Sequence, residues 1–324
     1  MVKGKSINSL MRHLRNKHNI DIKGSKNKRD LLNMGYYHGY KGYRFINNSE
    51  NIIPYSDFDE IVSVYEFDAN LKALLYPRLM FIETAIKNRT LDTLISDAPV
   101  DFEYVFTNFL NDYKNENTGN SKYRKKMRNR LELRNKIYET VSYNYREEKA
   151  VIQHFFHQNK PLPLWAIFEV ISMGDFGFFL QCLNKDNRIQ VSKDLNLHST
   201  SHNQNGRIVE DIIFLIKDLR NAVAHNSIIF DCRFQKAKPQ SRLKEFLQNE
   251  TRILNINFRH IIDYFLILIV ILKKMGVPKK ELKKVIRILN DESERLRSSI
   301  PDPVHTSVMS SEYRRKLEGI KTYI

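Results

Sequence analysis

From Phe58 to about Ser96, apolar residues recur every three or four positions, the spacing of one buried helical stripe. Only Pro77 interrupts that run, and it predicts a kink or the start of a second helix. Shorter stretches with the same period lie around Ile7 to Leu14 and from Lys28 to Met34. Trp165–Leu183 reads as two short helices hinged at Gly174, after Pro161 and Pro163. Ser121 to about Arg146 reads as a strongly basic helix, and Ile208–His225, Arg242–Lys274 and Pro278–Glu294 as three apolar ones. Asn111–Asn120 and the Ser- and Asn-rich segment 192–206 are polar loops. No stretch alternates with period two for long, so the chain is predicted to be all-α. The pattern divides it into a basic helical region 1–56, a helical domain 57–294 with a basic insertion at about 111–160, and a polar tail 295–324. That tail, with Pro301 and Pro303, is expected to extend over the surface.

Composition adds the partner. Among 324 residues, 53 Lys and Arg stand against 37 Asp and Glu, a net charge of +16. Such a surface suits a polyanion, either nucleic acid or an anionic membrane. The two cysteines, Cys182 and Cys232, build neither a disulfide framework nor a four-cysteine zinc site, which fits a reducing, cytoplasmic setting. The N-terminal segment is basic but has no apolar run of secretory type. The most apolar stretch, Ile261–Leu272, is too short for a span of about 20 residues and reads as a core helix. No membrane partner and no cofactor are expected.

The chemistry concentrates in IVEDIIFLIKDLRNAVAHNSIIF (208–230). At 100° per residue, Leu219, Val223 and Ile216 lie within about 40° of Ile212 and form the core stripe. Asn221, near 180°, and His225, near −140°, face away from it, one turn apart on the same face. Arg220, at about 80°, reaches over the same patch. A cation, an amide and an imidazole are the groups that RNA cleavage needs. Histidine moves protons near neutrality, and arginine stabilises phosphorane charge. Asn221 would position them. With 10 His in the chain, an Arg followed five residues later by a His arises nearly once by chance, so the spacing alone carries nothing. The plain alternative is a helix end where His225 meets the carbonyl dipole and Arg220 pairs with a carboxylate.

Further candidates surround this motif. Arg78 and Arg89 share an azimuth with Leu71 and Ile82 on an apolar stripe, a costly position unless paired or facing a polyanion. Arg89 or Glu83 could therefore support the Arg220/His225 site; the alternative pairs Glu83 with Lys87 on the surface and lets Arg78 snorkel. SKYRKKMRNRLELRNK (121–136) holds eight Lys and Arg and one Glu. Its Lys122, Arg124, Lys125, Lys126, Arg128, Arg130 and Arg134 are read as phosphate contacts, against a solvated basic face as the alternative. The glycines and tyrosines of GYYHGYKGYRF (35–45) are read as close packing rather than base stacking. No carboxylate or thiol clusters with the pairs His154/His157 or His198/His202, so no metal is expected. Phe214, near −160°, with Lys217 and Asp218 beside it, is read as an isologous contact of a homodimer. The alternative packs Phe214 under a helix of its own chain.

RNAVAHNS (220–227) resembles the Arg-Asn-x-x-Ala-His motif of the Abi family, the AbiD/AbiF-like abortive-infection proteins. Three more blocks match in the family's order: GYYHGYKGYRF (35–45), FDEIVSVYEFDANLKALLYPRLMFIETAIKNR (58–89) and PLWAIFEVISMGDFGFFLQCL (163–183). The resemblance implies a HEPN-like helical bundle, a homodimer with two motifs facing each other, RNA as substrate, and a toxin role in phage defence restrained by a small noncoding RNA. Asn226 and Ile228 stand where the family often has a second His and an Arg, and Pro77 lies in a helix usually free of proline. The leading expectation is a metal-independent endoribonuclease using Arg220, Asn221 and His225. The alternative is a non-catalytic RNA-binding module in complex with a structured RNA.

Overall fold

A computed structural model describes residues 4–95 and 101–324. Among them the fold is all-α, with fifteen α-helices and only isolated β-bridges. The helices are α1 (Ile7–His18), α2 (Gly24–Met34), α3 (Phe58–Ile95), α4 (Phe102–Asn108), α5 (Ser121–Arg146), α6 (Ala150–His157), α7 (Leu164–Val170), α8 (Met173–Cys182), α9 (Lys185–Asp194) and α10 (Ile208–Ala224), followed by α11 (Ser241–Thr251), α12 (Ile261–Lys274), α13 (Lys279–Ser299), α14 (Asp302–Val308) and α15 (Tyr313–Tyr323). None of the described helices is long and apolar enough to cross a membrane.

The frame is α3, packed along α9, α10, α12 and α13. It is not divided at Pro77 and runs for 38 residues. The proline removes the hydrogen bond to the carbonyl of Ala73, and both residues are exposed, so water can serve the freed oxygen. The flanking Leu71, Leu75, Leu79 and Ile82 are fully buried and hold both halves in register. The reading of this helix to about Ser96 ends outside the described residues.

The predicted regional boundaries are not breaks in the core, because one buried cluster extends from Met11 to Ile324. The N-terminal region is fastened to α3 by Tyr43, whose hydroxyl donates to Asp68 Oδ2 at 2.7 Å. The last thirty residues do not trail over the surface. α15 buries Tyr313, Leu317 and Ile320, and its Lys316, 1% exposed, donates to Asp263 Oδ1 at 2.6 Å. Asp263 also accepts from Asn257 N and Phe258 N, at 3.0 and 2.9 Å. The predicted single helix Arg242–Lys274 is two, α11 and α12, because Arg252, Asn255 and Phe258 turn the chain through positive φ between them.

Candidate functional site

α10 is amphipathic as its spacing requires. Ile212, Ile216, Leu219 and Val223 are buried, while Asn221 and His225 are exposed. The helix ends in a Schellman turn: Ser227 N donates to Ala222 O, Asn226 N to Val223 O, and Asn226 takes φ 52°. His225 is the capping residue. The chain then turns back over α3, where Asp68 accepts from Ile229 N and Phe230 N at 2.9 and 2.7 Å. Lys72 bridges Asp68 (3.0 Å) and Asn226 Oδ1 (2.7 Å), so the turn carrying His225 is held by a buried carboxylate and its cation.

The predicted cation and acid meet. Arg220 Nε donates to Glu83 Oε2 at 3.0 Å and its Nη1 to Asn221 Oδ1 at 3.2 Å. Glu83 is buried and also pairs with Lys87 at 3.3 Å. Lys87 in turn donates to Ile171 O at 3.0 Å. Glu83 therefore pairs with both Lys87 and Arg220. Arg89 does not join the site. Its Nη1 and Nη2 donate to Asp194 O and Met275 O, at 3.0 and 3.1 Å, at the ends of α9 and α12. Its apolar stripe is compatible with a guanidinium because two orphan helix carbonyls take it up.

Asn221 and His225 open into a groove of about 570 Å³, whose other wall is the segment 35–42. Gly35–Lys41 is a π-helix. It buries Tyr40 and turns Tyr37, 80% exposed, and His38 outward onto the groove. Gly42 is needed there, since a Cβ would stand 2.7 Å from Ile228 Cδ1 of the returning chain. Arg233 clamps the two walls together. It pairs with Asp231 at 2.7 Å and donates to Gly42 O and Phe45 O at 2.8 and 2.6 Å. The exposed Lys236 completes the rim. Arg220 does not line the groove and reaches it only through Asn221. Neither imidazole, that of His38 nor that of His225, has a hydrogen-bond partner among the described residues. Cys232 lies buried behind the site, and burial pushes its thiol well above the ordinary range, so it offers no nucleophile.

The sequence reading assigned no role to His38 or Lys236, and it took the tyrosines of 35–45 as packed, whereas Tyr37 is exposed on the groove. The histidine was visible in GYYHGYKGYRF, but nothing local encodes its approach to a residue almost two hundred positions away. Two groups argued for a dimer contact are instead engaged within the chain. Phe214 packs on Phe178 of α8, rings 5.3 Å apart, over Gly177, where a Cβ would come within 2.9 Å of it. Asp218 accepts from Lys236 N and Ala237 N, at 2.8 and 2.6 Å, and lies 3.4 Å from its neighbour Lys217.

The basic helix α5 is also more inward-looking than its composition implied. Arg130 donates to Leu110 O and Phe106 O, at 2.6 and 2.8 Å, and lies 3.7 Å from the Phe106 ring centre. Arg134 pairs with Glu103 at 2.9 Å, and Lys126 with Asp112 and Glu116 at 2.9 and 2.7 Å. Arg124 donates to Gly119 O, and Arg128 has only the exposed Glu132 at 3.6 Å. Lys122 and Lys125 have no ionic partner among the described residues. Of the seven predicted phosphate contacts, Lys126, Arg130 and Arg134 are thus held by the chain itself. Among the described residues, no three His, Cys, Asp or Glu side chains gather as a metal site would require.

No curated protein and no solved structure matches this chain. A family model described as Abi-like protein matches residues 29–231, which include His38, Asn221 and His225, and the chain belongs to that family.

Proposed function

We propose that the groove between the π-helix and the end of α10 is the active site of a HEPN-type, metal-independent endoribonuclease acting in abortive infection. Family membership supports the abortive-infection role. The observation that carries the enzymatic reading is the pair of open imidazoles, His38 and His225, sharing one groove with Asn221 and Lys236. One imidazole takes the proton of a 2′-hydroxyl, whose oxygen attacks the adjacent phosphorus. The bond to the 5′-oxygen breaks, and that oxygen takes a proton from the other imidazole. The products carry a 2′,3′-cyclic phosphate and a 5′-hydroxyl. Lys236 meets phosphate charge at the rim, while Glu83 fixes Arg220, and Arg220 fixes Asn221. Lys122 and Lys125, unpaired among the described residues, and the exposed Arg124 and Arg128 extend the contact with phosphates along α5.

The test is cleavage of a mixed RNA in EDTA by wild type, His225→Ala and His38→Ala. Loss in both variants supports the assignment, and undiminished cleavage by His225→Ala removes it. A homodimer is the arrangement the family resemblance implies, and it would place a second His225 at the phosphate. Restored cleavage on mixing the two inactive variants would support a site shared between copies. One observation favours the non-catalytic reading: Arg220 is turned onto Glu83, outside the groove. That reading expects RNA to bind without being cut. Sequencing the RNA that co-purifies under native conditions tests for a noncoding RNA partner.

A further inference from the structure

The apolar face of α5, Leu133, Ile137 and Val141, is the stripe that packs into the core. Continued toward the N-terminus at steps of three and four, the same stripe reads Arg130, Asn129, Lys126, Lys125 and Lys122. These five side chains wall a second cleft of about 320 Å³, closed on the other side by α8 and the first turn of α10. The inward face of this helix is therefore apolar in one half and cationic in the other.

A buried charge network forms the floor. Asp112, 4% exposed, is bound by Lys126 at 2.9 Å, Arg188 at 3.1 Å and Arg207 at 3.0 Å. Burial alone would raise its carboxyl; the Lys126 hydrogen bond and the two guanidiniums hold it below the ordinary carboxylate range. Arg207 continues to Glu210 at 3.0 Å, Glu210 to Arg242 at 3.4 Å, and Arg242 to Asp211; Lys126 also holds Glu116. Four cations (Lys126, Arg188, Arg207, Arg242) thus meet four carboxylates (Asp112, Glu116, Glu210, Asp211), and the network is neutral by itself. Three cations on the cleft are left over: Lys122, Lys125 and Arg130. Arg130 is occupied by two carbonyls, and the two lysines have no partner among the described residues.

The remaining polar groups on the cleft are also under-used. Asn129 and Gln181 meet only each other, at 3.5 Å, the outer limit of a hydrogen bond. The Tyr113 ring stands at the edge, 5.3 Å from the Arg130 guanidinium. Two ammoniums unpaired among the described residues, two amides held only by one long mutual hydrogen bond and an aromatic ring fit a phosphomonoester attached to a base, and the volume lies at the lower end of the ~300–1,000 Å³ usual for small-ligand sites. We propose that this cleft binds a nucleoside phosphate, the phosphate on Lys122 and Lys125, the base edge on Asn129 and Gln181 and its face on Tyr113. The same chemistry is offered by a free nucleotide and by the 5′-phosphate end of an RNA. The proposal shares Lys122 and Lys125 with the RNA contacts proposed above but uses no residue of the His38/His225 groove, so nucleotide binding here is expected whether or not RNA is cut.

The test is calorimetric titration of the full chain with AMP, ATP and inorganic phosphate, and with a trinucleotide RNA bearing either a 5′-phosphate or a 5′-hydroxyl. Saturable binding of AMP or ATP, at least tenfold tighter than phosphate, is expected, and the double change Lys122→Gln/Lys125→Gln should weaken it at least tenfold with an unchanged melting temperature. Gln181→Leu should weaken nucleotide binding and leave phosphate binding as it was. A free nucleotide as the natural source predicts AMP or ATP tighter than either trinucleotide; an RNA end predicts the 5′-phosphorylated trinucleotide tightest. Should the double variant fail to fold, the single changes Lys122→Arg, expected to bind as wild type, and Lys122→Gln, expected to bind more weakly, carry the same comparison. Absence of binding by every phosphate ligand, or binding unaltered in these variants, overturns the proposal.

Discussion

The two ends of α10 treat polar groups in opposite ways. At its start, Arg207, Glu210 and Asp211 enter a buried network whose charges cancel, with partners drawn from α5, α9, α11 and the 112–116 segment. At its finish, Asn221, His225 and Asn226 stand in an open groove; Arg220 and Lys72 each hold one amide oxygen, Asp68 holds the returning backbone, and the His225 imidazole has no partner among the described residues. Polar groups on one helix thus divide into charges that hold the bundle together and neutral side chains that face an open groove. Charges are paired at both ends; what distinguishes the finish is the unpartnered imidazole of His225 on the groove.

Substitutions should separate these roles. The largest effect belongs to His225→Ala, expected to lower RNA cleavage by at least ~10³-fold with an unchanged melting temperature; a fall in both would mean that the imidazole is structural. At the other end, Asp112→Ala leaves Arg188 buried without its carboxylate and should cost about 3 kcal/mol or more in urea unfolding. Phe214→Ala should cost about 2 kcal/mol by emptying the space against Phe178, while light scattering reports the same oligomeric state as wild type; a change of state with stability intact would restore its role between copies. Lys236→Ala should weaken RNA binding about tenfold through one charge-assisted interaction. The smallest effect is at α5, where Arg124→Ala with Arg128→Ala should reduce the salt slope of RNA binding by roughly 0.7 to 0.9 for each phosphate no longer neutralised, and Arg130→Ala should act instead on stability.

Much of this division was legible in the sequence. The 3.6-residue period placed α5 and α10, and put Asn221 and His225 on the exposed face of α10. What the sequence could not show is which partner a charged side chain finds. Arg89 and Arg130 read as cations for a polyanion, yet both end on backbone carbonyls at helix termini, partners that carry no sequence signal. Lys316 marked the tail as polar because its carboxylate lies on another helix. Pro77 predicted a break because its own propensity is local, whereas the buried leucines on either side act through tertiary packing. The second imidazole was missed for the same reason, since a π-helix brings His38 to the groove through packing between segments distant in sequence.

The Lys316–Asp263 pair has a consequence for how the chain is made. Asp263 sits in the most apolar helix of the protein, and its ammonium follows 53 positions later. At ~5–20 residues per second of synthesis, Asp263 precedes that cation by about 3 to 11 s. During that interval a carboxylate that is 0% exposed in the finished fold has no counter-charge, which opposes closure of the bundle around it. The part of the bundle that closes around Asp263, where α15 packs on α11, α12 and α13, is therefore completed only after synthesis has passed residue 316.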